Sequence, residues 1–200
     1  MSKLAITNRK TKMKRFLTSA ILFCSSVVAL AQQPNDAHVF FNKIKQHCNK
    51  SYEGKVTAGA GNDDFSKNKL VMHVRSCEEN RIRIPFFVGE DRSRTWILSL
   101  ENDRILLKHD HRHEDGSEDK VTQYGGWTPN AGLDTIQIFP ADSYTRDLYP
   151  HTANNVWWIT INETEFTYNL RRIGSERVFT VTFDLTKEVA TPKAPWGWKD

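Results

Sequence analysis

The sequence predicts a mainly β protein, a single antiparallel barrel of about ten strands with one N-terminal α-helix, and a β-sandwich is the alternative. From Tyr52 onward, apolar and polar residues alternate with the period of two that is typical of strands with one buried face. Turn-forming clusters such as Glu78-Glu79-Asn80 separate these runs at short intervals, so consecutive strands should be antiparallel neighbours. A sheet of this size favours closure, because a barrel leaves no exposed strand edge.

The alternation is clearest near the C-terminus, where the apolar residues Phe179, Val181, Phe183 and Leu185 are separated by threonines and Asp184. The predicted strands lie near residues 52–59, 68–77, 81–89, 94–101, 103–112, 118–126, 133–140, 156–162, 164–172 and 177–185. Two regions are predicted to lie outside the strands. Residues 141–155 should form a surface loop that includes a short helical turn, and residues 186–200 should form a tail rich in Pro and Trp that packs on the outside of the barrel.

One helix is predicted over residues 36–48, because Phe40, Phe41, Ile44 and Cys48 recur at helical spacing. Asn35 or Asp36 can cap its first turn. Two cysteines, Cys48 and Cys77, follow the first 31 residues, and an even number in an exported chain predicts one disulfide between them. Two buried free thiols are the alternative.

The first 31 residues are predicted to be a signal peptide, which leaves residues 32–200 as a single domain. Six lysines and arginines precede a short apolar run, and Ala29-Leu30-Ala31 offers the small residues that signal peptidase requires. Met13 is an alternative start, and a transmembrane anchor is the alternative interpretation of the apolar run. We therefore expect an exported protein, periplasmic or secreted, with no stable membrane span after cleavage.

Removal of this segment reverses the net charge. Lys and Arg fall from 28 to 22 against 24 Asp and Glu, so the net charge changes from +4 to about −2. The basic precursor is therefore no evidence for a nucleic-acid partner, and none is expected.

The most specific chemical signal is the segment 105–127, which predicts a β-hairpin around a two-residue type I′ turn at Asp115-Gly116. In that register His109 lies opposite Thr122, and Leu107 lies opposite Tyr124. Alternation places the side chains of His109, His111 and His113 on one face, and we expect His109 and His111 to point toward the barrel interior near one mouth.

Two interpretations of the three histidines remain open. His109, His111 and His113 could bind a transition metal, zinc or copper, because imidazoles two residues apart on a strand project the same way. Alternatively, the turn is simply a solvated polar tip, since Asp-Gly turns normally lie at the surface.

The predicted ligand-binding residues are His109, His111, Tyr124, Arg94 and His73. Arg94 begins the strand that carries Trp96 and Leu98, so it could line the barrel mouth and hold a ligand carboxylate. Pairing with Asp91, Glu90 or Glu101 at the surface is the alternative.

Two resemblances accompany these patterns. A helix that leads into Tyr52-Glu53-Gly54-Lys55-Val56 resembles the opening of lipocalin-like (calycin) barrels, with Val56 where their Gly-x-Trp motif has Trp. The runs LVMHVRSCEENRIRIPFFVGEDRSRTWIL, LLKHDHRHEDGSEDKVTQYGG and APWGW resemble a family of exported bacterial proteins of uncharacterised function. The first resemblance implies a barrel fold, and the second implies export without assigning an activity.

The sequence contains no Gly-x-Ser-x-Gly motif, no phosphate-binding loop and no dinucleotide-binding fingerprint. We therefore expect a non-enzymatic barrel that binds a small-molecule ligand or a cell-envelope protein. The alternative is a metal-binding protein or metal-dependent enzyme that uses the histidine strand. A bound metal, zinc or copper, would distinguish the alternative from the leading hypothesis.

N-terminal sequencing tests the predicted cleavage. Protein recovered from outside the cytoplasm should begin at Gln32, because Ala29 and Ala31 occupy the positions that signal peptidase recognises. Retention of the protein in the cytoplasm, or an intact segment that stays in the membrane, would contradict this prediction.

Overall fold

The computed structural model describes residues 35–199, which form one antiparallel sheet nearly closed into a barrel. The predicted signal peptide, the alternative start at Met13 and the cleavage site after Ala31 lie outside the described residues. Within residues 35–199, no helix has both the length and the apolar character needed to cross a membrane.

The prediction of a mainly β barrel is confirmed. The helices and strands are α1 (Asp36–Lys45), β1 (Ser51–Ala58), α2 (Asp64–Lys67), β2 (Leu70–His73), β3 (Ser76–Cys77), β4 (Arg81–Val88), β5 (Asp91–Glu101), β6 (Arg104–His111), β7 (Tyr124–Trp127), β8 (Ile136–Pro140), α3 (Ser143–Leu148), β9 (Asn155–Ile161), β10 (Glu165–Arg172) and β11 (Val178–Glu188). A 3₁₀ turn, Pro150–Thr152, follows α3. The strands of the sheet lie in the order β7-β6-β5-β4-β2-β1-β11-β10-β9-β8, with β3 beside β4.

Three predicted elements differ from the structure. The helix ends at Lys45, because residues 46–49 form a turn that closes with Asn49 at a positive φ of 65°. The predicted strand 68–77 is divided into β2 and β3, since the backbone of Val74 bonds to Asn49 in that turn and to Lys50, which follows it. The predicted strand 118–126 was mostly wrong, and only Tyr124–Trp127 pairs with β6.

Helix α1 packs against one end of the barrel. Its apolar face, which includes Phe40, Phe41 and Ile44, is buried in the same core as the inward side chains of the strands. His38 contacts Asp103 in the turn between β5 and β6 at 2.9 Å, and Lys43 donates to Asp134 at 2.7 Å. These contacts fix α1 at the end of the barrel where β5 finishes and β6 begins.

The predicted disulfide between Cys48 and Cys77 is confirmed. It joins the turn after α1 to β3, across a sequence separation of 29 residues. A cross-link over such a loop restricts the unfolded chain and is worth about 3–4 kcal/mol of stability. The disulfide therefore fastens the helix to the sheet.

The C-terminal tail contacts outward-facing arginines of the sheet, and it begins after Glu188, where β11 ends. The guanidinium groups of Arg75 and Arg83 lie over the ring of Trp198, at 5.9 and 5.6 Å from its centroid. Arg92 donates to the carbonyl oxygen of Ala194 at 2.8 Å. Cation–π contacts and a charge-assisted hydrogen bond thus hold the tail.

Strands β7 and β8 are the two ends of the sheet, and the start of α3 joins them. Asp142, which precedes α3, donates its backbone N–H to the carbonyl oxygen of Gly125 on β7 at 2.9 Å. The buried Thr145 hydroxyl accepts from the Gly125 N–H at 2.7 Å and lies 2.8 Å from the Gly125 oxygen. These bonds satisfy backbone groups that an open edge would leave unpaired.

A substitution at Thr145 tests this junction. Thr145→Val keeps the shape of the side chain but leaves the buried Gly125 N–H without its acceptor, so we expect a loss of about 1–3 kcal/mol in the free energy of unfolding. Denaturant titration measures the loss. Thr145→Ser is the matched control, because it retains the hydroxyl and should cost less than Thr145→Val. Equal losses for the two variants would show that the hydroxyl does not join the strands.

Candidate functional site

A cavity of about 570 Å³ opens at the barrel mouth formed by the start of β5 and the end of β6, away from α1. Its walls come from strands that are distant in sequence, with β5 and β6 on one side and β9 to β11 on the other. Tyr149, His151 and Thr152, from the segment after α3, also line it. The other lining residues are Asp63, Phe65, Phe86, Arg94, Thr95, Trp96, His109, His111, Asp119, Val121, Tyr124, Asn155, Trp157, Tyr168, Leu170, Arg172, Arg177 and Phe179.

One wall of the cavity is a continuous stack of aromatic rings. Phe86 lies 4.8 Å from Trp96, and Trp96 lies 4.4 Å from Tyr168, with interplanar angles of 18° and 14°. Phe65 extends the stack beyond Phe86 at 6.0 Å. Flat, apolar surfaces of this kind suit a planar or hydrocarbon ligand.

His109 is buried in this aromatic environment and is neutral. Its Nδ1 lies 3.0 Å from the carbonyl oxygen of Tyr124, which can only accept, so Nδ1 carries the proton. Its Nε2 is then the acceptor for the Tyr168 hydroxyl at 2.7 Å. Burial lowers the pKa of His109 to about 3, although the hydrogen bond to the Tyr124 carbonyl opposes this shift.

His111 and Tyr124 form a second imidazole–phenol pair nearer the mouth. The Tyr124 hydroxyl lies 3.0 Å from Nε2 of His111. Burial, followed by the charge of Arg94, lowers the pKa of His111 to about 4. Burial also raises the pKa of Tyr124 to about 12. The inner wall is therefore polar but uncharged at neutral pH.

Four of the five predicted ligand-binding residues line the cavity: Arg94, His109, His111 and Tyr124. Arg94 forms an ion pair with Asp91 and lies over the Phe65 ring, 5.3 Å from its centroid. The alternative prediction for Arg94 was pairing with Asp91, Glu90 or Glu101, and the observed partner is Asp91. Whether these residues bind a ligand stays a prediction.

The structure separates His73 from the predicted set. The neighbours of His73 on either side, Met72 and Val74, belong to the core, so alternation directs His73 to the outer face of the sheet. Its backbone pairs with Ser51 on β1, and it does not line the cavity. Its placement with His109 and His111 was therefore wrong, because the shared face could not be assigned from the sequence of β2 alone.

The three-histidine metal site is also not formed. His113 lies beyond the end of β6 and is exposed, whereas both ring nitrogens of His109 already have protein partners. In the part of the chain that the structure describes, no three His, Cys, Asp or Glu side chains are grouped so as to hold a metal ion. The side chains present therefore do not fit the zinc or copper site that the sequence suggested.

The turn between β6 and β7 differs from the predicted type I′ turn. Gly116 N–H donates to the His113 carbonyl, and His113 N–H donates to the Ser117 carbonyl, both at 2.9 Å. Gly116 has a φ of +88°, whereas Asp115 has no positive φ, so this is a three-residue loop that ends in a left-handed glycine.

The pairing register between β6 and β7 also differs from the predicted one. Gln123 adds a second irregularity at φ 57°, and His109 pairs with Tyr124 rather than with Thr122. The shift of two residues keeps the faces unchanged, so both histidines still point inward.

Sequence reasoning missed the residues of the opposite wall and rim, Trp157, Tyr168, Arg172 and Arg177. The pattern contained a signal for the arginines. Arg172 continues the inward series of Tyr168 and Leu170, and Arg177 lies two residues before Phe179. What the sequence lacked was the pairing that brings these strand ends next to β5 and β6.

The chain matches no protein-family model, no curated protein and no solved structure.

The neutral histidines predict how stability depends on pH. The pKa values of His109 and His111 are lowered in the folded chain from 6.5 to about 3 and about 4, so as the pH falls the unfolded chain takes up protons first. The contribution of the two histidines to the free energy of unfolding is complete above pH 6.5. It is lost as the pH falls toward their pKa values in the folded chain. For His109 alone, the loss between pH 6.5 and 5 should be about 2 kcal/mol. Urea titrations across this range measure it.

The variant His109→Gln should lower the stability at neutral pH but flatten its dependence on pH in this range. His113→Gln is the matched control, because it removes an exposed imidazole from the same segment and should leave the slope unchanged. An unaltered slope in His109→Gln would contradict the assignment of a buried, neutral imidazole.

Proposed function

We propose that this protein binds a small, largely apolar ligand in the mouth cavity and that it works outside the cytoplasm, in the periplasm or as a secreted protein. The observation that carries the proposal is the cavity itself, whose volume of about 570 Å³ lies in the range of small-molecule sites. The Cys48–Cys77 disulfide is compatible with an oxidising compartment.

The composition of the walls supports binding over catalysis. The phenols and imidazoles at the inner wall are hydrogen-bonded to one another, in the pairs Tyr168–His109 and Tyr124–His111. Burial lowers the pKa of the two histidines and raises the pKa of Tyr124, so these three groups are neutral near pH 7. Such groups can orient a ligand through hydrogen bonds without reacting with it.

The shape of the site favours a small molecule over an envelope protein. The cavity is a concave opening at the end of a barrel, and its aromatic stack from Phe86 to Tyr168 forms one of its walls. A protein partner would need a broad, accessible patch, whereas these rings are buried.

A neutral fluorescent probe tests the proposal. N-phenylnaphthylamine becomes fluorescent in apolar surroundings, and we expect saturable binding at one probe per chain. Leu170→Trp should weaken it roughly tenfold or more, because the larger side chain would occupy the cavity. Leu170 lies on the inner face of β10 and lines the cavity.

Arg171→Trp is the matched control, since it adds the same side chain one residue away on the exposed outer face. It should bind the probe as the parent does. Absence of saturable binding to the parent, or equal binding by the parent and a folded Leu170→Trp variant, would contradict the proposal.

A further inference from the structure

We propose that the ligand carries an anionic group, a carboxylate or a phosphate, and that Arg172 and Arg177 hold this group at the rim while its apolar body contacts the aromatic wall. This inference rests on the proposed function. It assigns the anion to a different pair of residues from Arg94, whose charge is already matched by Asp91.

The two arginines are adjacent at the cavity mouth. Arg172 is the last residue of β10, and its backbone N–H donates to the carbonyl oxygen of Arg177 at 3.1 Å. Both residues line the cavity together with Leu170 and Phe179. Both arginines therefore line the same cavity as these apolar side chains.

Neither guanidinium has a carboxylate partner. Within residues 35–199, no Asp or Glu oxygen lies within 4.0 Å of a side-chain nitrogen of Arg172 or Arg177. Nε of Arg172 donates to Oδ1 of the buried Asn155 at 3.0 Å, which orients the planar group. That bond leaves the terminal nitrogens of Arg172 available for two parallel hydrogen bonds to an anion.

Two aspartates also line the cavity, but their carboxylates bond to the backbone of their own segments. Asp63 accepts from the Ser66 N–H at 2.9 Å, and Asp119 accepts from the Val121 N–H at 2.8 Å. Asp119 lies on the side of His111, whose pKa it influences. Neither aspartate forms an ion pair within 4.0 Å of Arg172 or Arg177, so these arginines have no carboxylate partner among residues 35–199.

The inner wall explains why the charge of the ligand should stay at the rim. His109 and His111 are neutral, so no cation is available deep in the cavity to compensate a buried anion. Burial of an unpaired charge is costly, whereas an anion at the mouth keeps contact with water and with two guanidinium groups. The arrangement fits a ligand with an apolar body and one charged end.

Three probes with the same ring system test the inference: naphthalenemethanol, naphthoate and naphthyl phosphate. Calorimetric titration of the full exported protein at neutral pH should give tighter binding of at least one anion than of the alcohol, on the order of tenfold, from charge-assisted hydrogen bonds. The double variant Arg172→Gln, Arg177→Gln should lose this preference and still bind the alcohol. The order of the two anions shows whether the site suits a carboxylate or a phosphate.

Arg171→Gln is the matched control, because it removes an equal charge from the outer face next to Arg172 and should keep the preference. Thermal melts verify that the variants are folded. If the parent binds the alcohol as tightly as both anions, or if the double variant keeps its preference, the inference is overturned and the proposed function stands. If the parent binds none of the three probes and also fails to bind N-phenylnaphthylamine, the proposed function fails, and the inference fails with it.

Discussion

Closure of the sheet between β7 and β8 is the constraint on which the rest of the structure depends. It requires backbones to approach more closely than side chains allow. Across this junction, a Cβ atom on Gly126 would lie 1.8 Å from the Pro140 carbonyl oxygen on β8, and on the other side of β7 a Cβ atom on Gly125 would lie 1.9 Å from the Leu107 carbonyl oxygen on β6. Only glycine is compatible with these distances, so the Gly-Gly pair permits the contact, and Thr145 supplies the hydrogen bonds that complete it.

The position of the candidate site follows from this closure. His109 on β6 and Tyr168 on β10 are far apart in the order of the strands, yet they share a 2.7 Å hydrogen bond across the barrel interior. Trp157 on β9 tilts against both His109 and Tyr124. These contacts join the two ends of the sheet, and they satisfy polar groups that would otherwise be costly to bury. Burial in this interior lowers the pKa of both imidazoles and keeps them neutral, which gives the cavity polar hydrogen-bonding groups without a buried charge.

The sequence predicted the parts of the fold that depend on local alternation. The inward faces of β10 and β11 follow directly from the period of two, and the orientation of His109 and His111 follows from that of Ile105 and Leu107. A register error of two residues did not affect these faces, because a strand repeats its orientation every two residues.

The details that depend on tertiary contacts could not be predicted. The conformation of the loop at Gly116 depends on two tertiary contacts. Arg112 donates to the Gly116 carbonyl oxygen, and Gly197 of the tail packs against Gly116. The outward orientation of His73 depends on which face of the short strand β2 meets the core. Arg172 reaches the rim because the C-terminal end of β10 and the N-terminal end of β5 lie at the same mouth of the barrel. No local sequence pattern predicts that proximity.

The arginines divide between two tasks according to the face that they occupy. Arg75, Arg83 and Arg92 are close together in sequence, which could indicate a binding site. In the structure they instead contact the C-terminal tail and stabilise it. Because the tail supplies rings and carbonyl oxygens rather than carboxylates, these contacts stabilise it without neutralising charge. Arg172 and Arg177, which line the cavity and have no carboxylate partner among residues 35–199, come from a distant part of the sequence and do not cluster with them. Whether an arginine contacts the tail or lines the cavity, rather than the density of arginines along the sequence, therefore distinguishes a structural arginine from a candidate ligand contact in this protein.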